Sequence, residues 1–146
     1  IVLKPEQVAD FVSHGREPPL AGRDFFRNVV REQKPYAAEK TIRDPLQTNC
    51  SLLTDEWCAF LKKNNFMVGI SLDGPREIHD AYRRTRAGKG TFADVMRGLK
   101  LLQNHGVDYN VLACVARDTA KKPLEVYSFM NSSLPQPGCV APSPQS

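Results

Sequence analysis

Residues 66–72 form the segment that most constrains the fold of this chain. The segment, Phe-Met-Val-Gly-Ile-Ser-Leu, is apolar almost throughout and has no polar side chain before Ser71. Such a run is typical of a parallel β-strand that is buried on both faces. Because parallel strands need a crossover connection, usually a helix, the segment predicts an α/β fold.

The rest of the chain repeats this alternation of strand-like and helical patterns. Further strands are predicted over residues 7–13, 41–47 and 107–115, and helices over residues 23–34, 55–64, 92–105 and 123–130. Thr54 and Thr91 stand where helix N-caps are expected, and Gly106 stands where a helix should end. Pro45 predicts an edge position or a bent end for its strand. The order β-α-β-α-β-α-β-α predicts right-handed crossovers and a parallel sheet.

Composition argues against several functional classes. The 20 basic and 16 acidic residues leave a net charge of +4, less concentrated than in nucleic-acid-binding proteins. No apolar run approaches the ~20 residues of a membrane span. The 4 cysteines show no metal-binding spacing, which predicts a reduced, cytoplasmic protein without metal ligands. Residues 131–146 are rich in proline and serine, so we expect one domain over residues 1–130 and a disordered or out-of-register tail.

Polar residues follow three of the predicted strands at the points where those strands end. They are Gly15, Glu17 and Pro18 after the first strand, Gln47 and Asn49 after the second, and Ser71 and Asp73 after the third. The carboxyl ends of parallel strands meet at one edge of the sheet, where α/β proteins bind their ligands. The pattern therefore predicts a binding site at this edge.

Each of these segments also has a plainer interpretation. Glu17 fits an ordinary turn with a solvated carboxylate, and Asn49 fits a turn that its own side chain stabilises. Ser71 and Asp73 favour function, because a buried strand seldom ends in such groups without a partner for them. Arg83 could return to the same edge and pair with a ligand carboxylate, or it could belong to a solvated basic patch.

With these segments placed, the sequence resembles the radical S-adenosylmethionine enzymes, specifically the anaerobic sulfatase-maturating group. The resemblance extends over most of the chain and is densest over residues 46–110. The motifs that carry it are Gln-Thr-Asn, Asp-Glu-Trp-Cys-Ala-Phe-Leu, Val-Gly-Ile-Ser-Leu-Asp-Gly-Pro, Ile-His-Asp-Ala-Tyr-Arg, Gly-Lys-Gly-Thr-Phe and His-Gly-Val-Asp-Tyr-Asn. Such a succession is far more specific than any single motif.

The resemblance implies a fold, a chemistry and a set of binding residues. The family folds as a partial (β/α)6 barrel, of which this chain would form about four βα units in an open sheet. It uses a [4Fe-4S] cluster to cleave S-adenosylmethionine, and the maturases oxidise a Cys or Ser of a sulfatase polypeptide to formylglycine. The implied binding residues are Gly15, Glu17 and Pro18 for the methionyl amino group, Gln47 and Asn49 along the pocket, and Ser71 and Arg83 for the carboxylate end, with Asp73 beside them.

Departures from the family pattern limit what we expect of this chain. Arg16 and Cys50 replace glycines of two motifs, and no Cys-x-x-x-Cys-x-x-Cys loop for the cluster is present. We therefore expect a fragment that is inactive by itself, with no catalytic or metal-binding residues of its own. Two alternatives stay open: a non-catalytic degenerate fragment, and a small nucleotide-binding or interaction module.

Overall fold

Four parallel strands build the sheet of this protein, whose computed structural model describes residues 8–10, 17–35, 41–117 and 119–133. The strands are Val8–Asp10 (β1), Thr41–Thr48 (β2), Phe66–Ser71 (β3) and Asp108–Leu112 (β4). They lie in the order β1-β2-β3-β4, and each pair of neighbours is parallel. The predicted α/β fold with an open parallel sheet is confirmed.

Helices connect the strands, as the alternating pattern predicts. The α-helices are Arg23–Gln33 (α1), Asp55–Lys63 (α2), Arg76–Tyr82 (α3), Phe92–Asn104 (α4) and Pro123–Ser133 (α5). Short 3-10 helices at Pro18–Ala21 and Thr119–Lys121 precede α1 and α5. Helix α5 continues three residues beyond its predicted end, and residues 134–146 lie outside the described part of the chain. None of the described helices is long and apolar enough to cross a membrane.

Strand β3 holds the centre of the sheet, with β2 on one side and β4 on the other. Its residues are buried except Met67, which is 43% exposed on the face away from the helices. The prediction of a strand buried on both faces is therefore confirmed apart from Met67. The core beneath the other face consists of Phe26, Leu46, Trp57, Leu61, Val68, Ile70, Leu72, Val95, Leu99, Leu102 and their buried neighbours.

The predicted helix boundaries at Thr54 and Gly106 have the expected cap geometry, whereas the side chain of Thr91 does not cap its helix. The Thr54 hydroxyl accepts a hydrogen bond from the Trp57 N–H at 3.3 Å and caps α2. Gly106 follows α4 with φ at +62°, a conformation that glycine adopts at little cost. Thr91 occupies the N-cap position of α4, but the Asp80 carboxylate accepts the Phe92 N–H at 2.8 Å in its place. The Thr91 hydroxyl is thereby free to make other contacts.

Of the two alternatives that Pro45 suggests, the edge position is wrong, and the bent end stays a prediction. Strand β2 lies between β1 and β3. The described pairs with β1 end at Arg43, whereas Pro45 is paired with Met67 of β3. Pro45 has no N–H to donate to a neighbouring strand, yet the pairing with β3 continues through it from Asp44 to Thr48.

Helix α4 approaches the turn after β2 closely at Gly98. A Cβ atom at position 98 would lie 2.4 Å from the Cys50 Cβ and 2.8 Å from the Cys50 carbonyl oxygen. Cys50 is fully buried and has φ at +62°, the left-handed conformation that glycine adopts most easily. The contact fixes the end of β2 against the helix layer.

We expect Gly98→Ala to lower the free energy of unfolding by about 1–3 kcal/mol, because the added methyl group overpacks the contact with Cys50. Urea unfolding followed by circular dichroism measures the change. In a Cys50→Gly background, the same substitution should cost less, since the nearest clashing atom is then absent while the backbone oxygen remains. Equal stability of Gly98→Ala and the parent would contradict this close approach.

Candidate cofactor-binding rim

The carboxyl ends of β2 and β3 lie side by side. We use the name rim for the residues at these two ends together with the residues that lie beside them. The rim comprises the segment 17–18, the segment 47–50, the segment 71–73 and Arg83. Thr48 is in register with Ile70, so Asn49 and Ser71 continue the two strands at neighbouring positions. The predicted site residue Gly15 and its neighbour Arg16 lie outside the described residues.

Glu17 is joined directly to the end of β2. Its Oε1 accepts a hydrogen bond from the Thr48 hydroxyl, and its Oε2 accepts one from the Asn49 N–H at 3.3 Å. Pro18 opens the 3-10 helix and holds the residue before it in extended backbone, with φ of Glu17 at −162°. The structure thus brings together two segments that are well separated in the sequence.

Burial and not a neighbouring charge dominates the electrostatics of Glu17. Desolvation raises the pKa of this carboxyl above its ordinary value, and the hydrogen bonds from Thr48 and Asn49 offset only part of the effect. Among the described residues, no lysine or arginine forms an ion pair with Glu17. A half-buried carboxylate of this kind is suited to receive a cationic group.

The amide side chains of the rim are partly engaged. The Asn49 Oδ1 accepts the Ser51 N–H at 2.9 Å, which is the local turn that the sequence left open as an alternative. The Asn49 NH2 group and the Gln47 side chain make no hydrogen bond to any other described residue. Gln47 is paired with Gly69 and lies on the face of the sheet away from the helices. Both side chains keep donors available at the rim.

Ser71 ends β3 and is 7% exposed as a residue. Its hydroxyl forms no hydrogen bond to another described residue. No fully buried side-chain oxygen or nitrogen of the described residues lacks a partner, so this hydroxyl is not an orphaned buried group. It offers a donor and an acceptor at the rim. The Ser71 hydroxyl is therefore a candidate ligand contact.

Asp73 and Arg83 form the strongest electrostatic contact of the rim. The Arg83 Nε donates to Asp73 Oδ2 at 2.6 Å and its Nη2 donates to Oδ1 at 3.1 Å, while the Cys114 N–H also donates to Oδ1 at 2.9 Å. Burial acts to raise the pKa of Asp73, but these hydrogen bonds and the charge of Arg83 hold it below its ordinary value. The sequence predicts Arg83 as a partner for a ligand; the structure already pairs it with a protein carboxylate.

Two residues of this region, Cys114 and His79, are not identified by the sequence patterns, and Thr48 of the Gln-Thr-Asn motif binds the protein's own Glu17. Cys114 contacts the Asp73–Arg83 pair through its backbone and its thiol. Cys114 is exposed, whereas Cys50 and Cys58 are buried. His79 is fully buried and accepts the Asp73 N–H. No spacing rule marks His79, because helix α3 is only 7 residues long and shows too little periodicity.

A model of the Radical SAM superfamily matches residues 2–130 of the chain. The chain belongs to this superfamily. It is 45% identical to the serine-type anaerobic sulfatase-maturating enzyme of Bacteroides thetaiotaomicron over 82% of its length and 29% of that enzyme's. It is 39% identical to the cysteine-type enzyme of Clostridium novyi over 85% of its length and 33% of that enzyme's. The resemblance to the anaerobic sulfatase-maturating group is thus confirmed.

Solved structures agree with the sequence matches. Native anSMEcpe with bound AdoMet and Cp18Cys peptide superposes with a TM-score of 0.82 and 35% identity, over 87% of this chain and 36% of that one. Native anSMEcpe with bound AdoMet gives a TM-score of 0.83 and 34% identity, over 89% of this chain and 36% of that one. This radical SAM chain therefore spans about a third of the length of these relatives.

The ligand set of an iron–sulfur cluster is not present among the described residues. No group of three or more His, Cys, Asp or Glu side chains there could hold a metal ion. Cys50 and Cys58 are buried free thiols, and burial raises their pKa values, that of Cys58 to about 11. Thiols of such high pKa are poor cluster ligands, because clusters bind thiolates.

We expect Glu17→Gln to raise the free energy of unfolding at neutral pH. The glutamine can keep both contacts, accepting from the Asn49 N–H and donating to Thr48, without burying a charge. The pKa of Glu17 is raised in the folded state. The protonated carboxyl therefore contributes fully to the free energy of unfolding below about pH 4.5, and this contribution is lost as the pH rises through the folded-state pKa. The gain of the variant should therefore vanish below about pH 4.5.

Chemical unfolding at a series of pH values tests this expectation. Glu56→Gln is the matched control, because Glu56 is exposed at the start of α2 and a hydrogen bond from Thr54 lowers its pKa. It should show no gain at neutral pH. If both variants respond alike, the special environment of Glu17 is refuted.

Proposed function

We propose that this chain forms part of the S-adenosylmethionine pocket of a sulfatase-maturating radical enzyme, which oxidises a Cys or Ser of a sulfatase polypeptide to formylglycine. The observation that carries the proposal is Glu17, a half-buried carboxylate without a cationic partner among the described residues. It lies at the rim of a domain whose solved relatives hold AdoMet. The ammonium group of the methionyl moiety supplies the charge that Glu17 lacks.

The remaining rim residues suit the other parts of the same ligand. Gln47 and Asn49 offer uncharged donors and acceptors for hydroxyl groups or an adenine edge. The Ser71 hydroxyl and the Arg83 guanidinium lie toward β4, where they suit the ligand's carboxylate. Asp73 holds Arg83 in place. Pro18 shapes the backbone beside Glu17, and a role for Gly15 of the same motif stays a prediction from the sequence.

The proposed role of this chain is binding and orientation. The cluster that supplies the cleaving electron in the family finds no ligand set among the described residues, so we assign no cleavage step to this chain by itself. The relatives named as sulfatase-maturating enzymes, and the peptide bound to one of them, support a polypeptide substrate. The free thiols of Cys50 and Cys58 suit a reducing compartment, which supports the cytoplasm as its location.

One observation favours a degenerate, non-catalytic fragment as the alternative. Cys50 adopts a φ of +62° at a position where the family motif has glycine. A side chain in this conformation is strained relative to glycine. A fragment released from selection could carry such a substitution, and direct measurement of ligand binding separates the two possibilities.

We expect the isolated chain to bind S-adenosylmethionine in calorimetry and Ser71→Ala to weaken that binding by up to about tenfold, the effect of one lost hydrogen bond. Stability should hardly change, because the hydroxyl makes no hydrogen bond to another described residue. Ser132→Ala on α5, away from the rim, should bind as the parent does. Absence of binding even in Cys50→Gly and Arg16→Gly variants would exclude a working pocket and favour the degenerate fragment.

Anaerobic reconstitution with iron and sulfide should leave the isolated chain without a bound [4Fe-4S] cluster. The physical reason is the lack of three thiolates at one place among the described residues. Visible absorbance of the cluster and iron content are the measurements, with a full-length maturase as the positive control. A stable cluster on this polypeptide would overturn the assignment of a role limited to binding.

A further inference from the structure

A closed ring of hydrogen bonds joins two residues of the rim to two residues behind it. The Asp73 N–H donates to His79 Nδ1 at 3.3 Å, and His79 Nε2 lies 3.0 Å from the Thr91 hydroxyl. The Thr91 hydroxyl donates to the Arg83 carbonyl at 3.1 Å. The Arg83 guanidinium closes the ring on the Asp73 carboxylate. Two of the four members are proposed site residues, and the other two have no role in the site so far.

The directions of these hydrogen bonds fix the state of His79. A backbone N–H can only donate, so Nδ1 of His79 must be the unprotonated nitrogen. Its Nε2 then carries the proton and donates to Thr91, whose own hydroxyl proton is directed to Arg83. Every donor in the ring therefore has an acceptor, and His79 is neutral. Burial lowers the pKa of His79, which agrees with this state.

The ring restrains both partners of the ion pair through their backbones. His79 holds the N–H of Asp73, and it also accepts the Arg83 N–H on its own carbonyl at 2.9 Å. Thr91 holds the carbonyl of Arg83 with its hydroxyl and with its N–H, the latter at 3.2 Å. The ring of Phe92 packs edge-on against His79 with centroids 6.0 Å apart. The rim ends of β3 and α3 are thus tied to the start of α4.

We propose that His79 and Thr91 are positioning residues that set the Asp73–Arg83 pair at the rim for ligand binding. Both act through other residues. His79 is fully buried, and the Thr91 hydroxyl contacts the backbone carbonyl of Arg83. An arginine whose backbone and guanidinium are already held by hydrogen bonds loses less conformational entropy on binding a ligand, so the ligand binds more tightly. The ring itself is independent of the identity of the ligand, whereas its effect on affinity rests on the proposed binding of S-adenosylmethionine.

The Thr91→Val variant removes the hydroxyl from the ring of hydrogen bonds and changes little else, because valine has nearly the shape of threonine. Thr91→Ser restores the hydroxyl. Thr85→Val is the matched control, since the Thr85 hydroxyl accepts the Lys89 N–H in the adjacent loop and does not contact the ring. Nitrogen NMR of the imidazole and of the Arg83 Nε–H group reports the ring directly, and calorimetry with S-adenosylmethionine reports the affinity.

In the parent, Thr91→Ser and Thr85→Val proteins, we expect the Nε2–H form of His79 and a slowly exchanging Arg83 Nε–H signal. Thr91→Val should lose that protection of the Arg83 signal and bind S-adenosylmethionine roughly tenfold more weakly, a loss typical of removing an outer partner of a binding group. An unchanged Arg83 signal together with unchanged affinity in Thr91→Val refutes the proposal. If the parent binds no S-adenosylmethionine, the proposed function fails while the Arg83 signal still decides whether the ring positions the pair.

A titration of the parent keeps the test decisive if Thr91→Val does not fold. Protonation of Nδ1 abolishes the bond from Asp73, at a midpoint below the ordinary 6.5 of histidine. The charged groups that act on His79 are Asp73, Arg83 and Asp80. The Arg83 Nε–H signal should change with the same midpoint as the His79 ring nitrogens. An Arg83 signal that stays constant through the His79 transition overturns the proposal.

Discussion

The burial of strand β3 between two parallel neighbours is the constraint on which the rest of this structure depends. One face of β3 supplies Val68 and Ile70 to the helix-covered core, and its pairing on both sides fixes the register of β2 and β4. The strand ends at Ser71, so the polar residues Ser71 and Asp73 lie at the end of backbone that is hydrogen-bonded on both sides. A site built on such an element is placed more accurately than one built on a free loop. The other face of β3 is shaped by Gly69, where a Cβ would lie 3.0 Å from the Leu112 Cδ1. The absence of a side chain there lets the neighbouring side chains lean across the strand.

Much of this architecture could be predicted from the sequence, because its signals are local. The apolar run of β3 and the N-cap at Thr54 depend only on residues close in the chain, and the structure confirms both. The neighbours of a strand depend on long-range pairing, so the edge position, one of the two alternatives suggested by Pro45, was wrong. The alternation of strands and helices predicted that the carboxyl ends of β2 and β3 lie at one edge of the sheet. The assignment of the residues there to a ligand stays a prediction.

The contacts within the rim were beyond the reach of sequence patterns. The pairing of Glu17 with Thr48 joins residues 31 positions apart, and Arg83 reaches Asp73 only because α3 folds back over the end of β3. His79 shows no periodic signal, since its importance comes from three partners that the fold assembles. Resemblance to a family marked Arg83 as important without showing which carboxylate it binds.

The two carboxylates of the rim differ in a way that constrains any ligand. Asp73 accepts three hydrogen bonds and has a cationic partner, whereas Glu17 accepts two neutral ones and has none among the described residues. Withdrawing Arg83 would leave Asp73, whose side chain is 4% exposed, as a buried and unpaired charge, at a cost of roughly 3–5 kcal/mol. We therefore expect a ligand carboxylate to lie beside the existing pair and not to replace Asp73. The Arg83 Nη1 group and the Ser71 hydroxyl, which have no partner among the described residues, are two of the donors available to it. A zwitterionic ligand fits this division, with its cation at Glu17 and its anion beside Arg83.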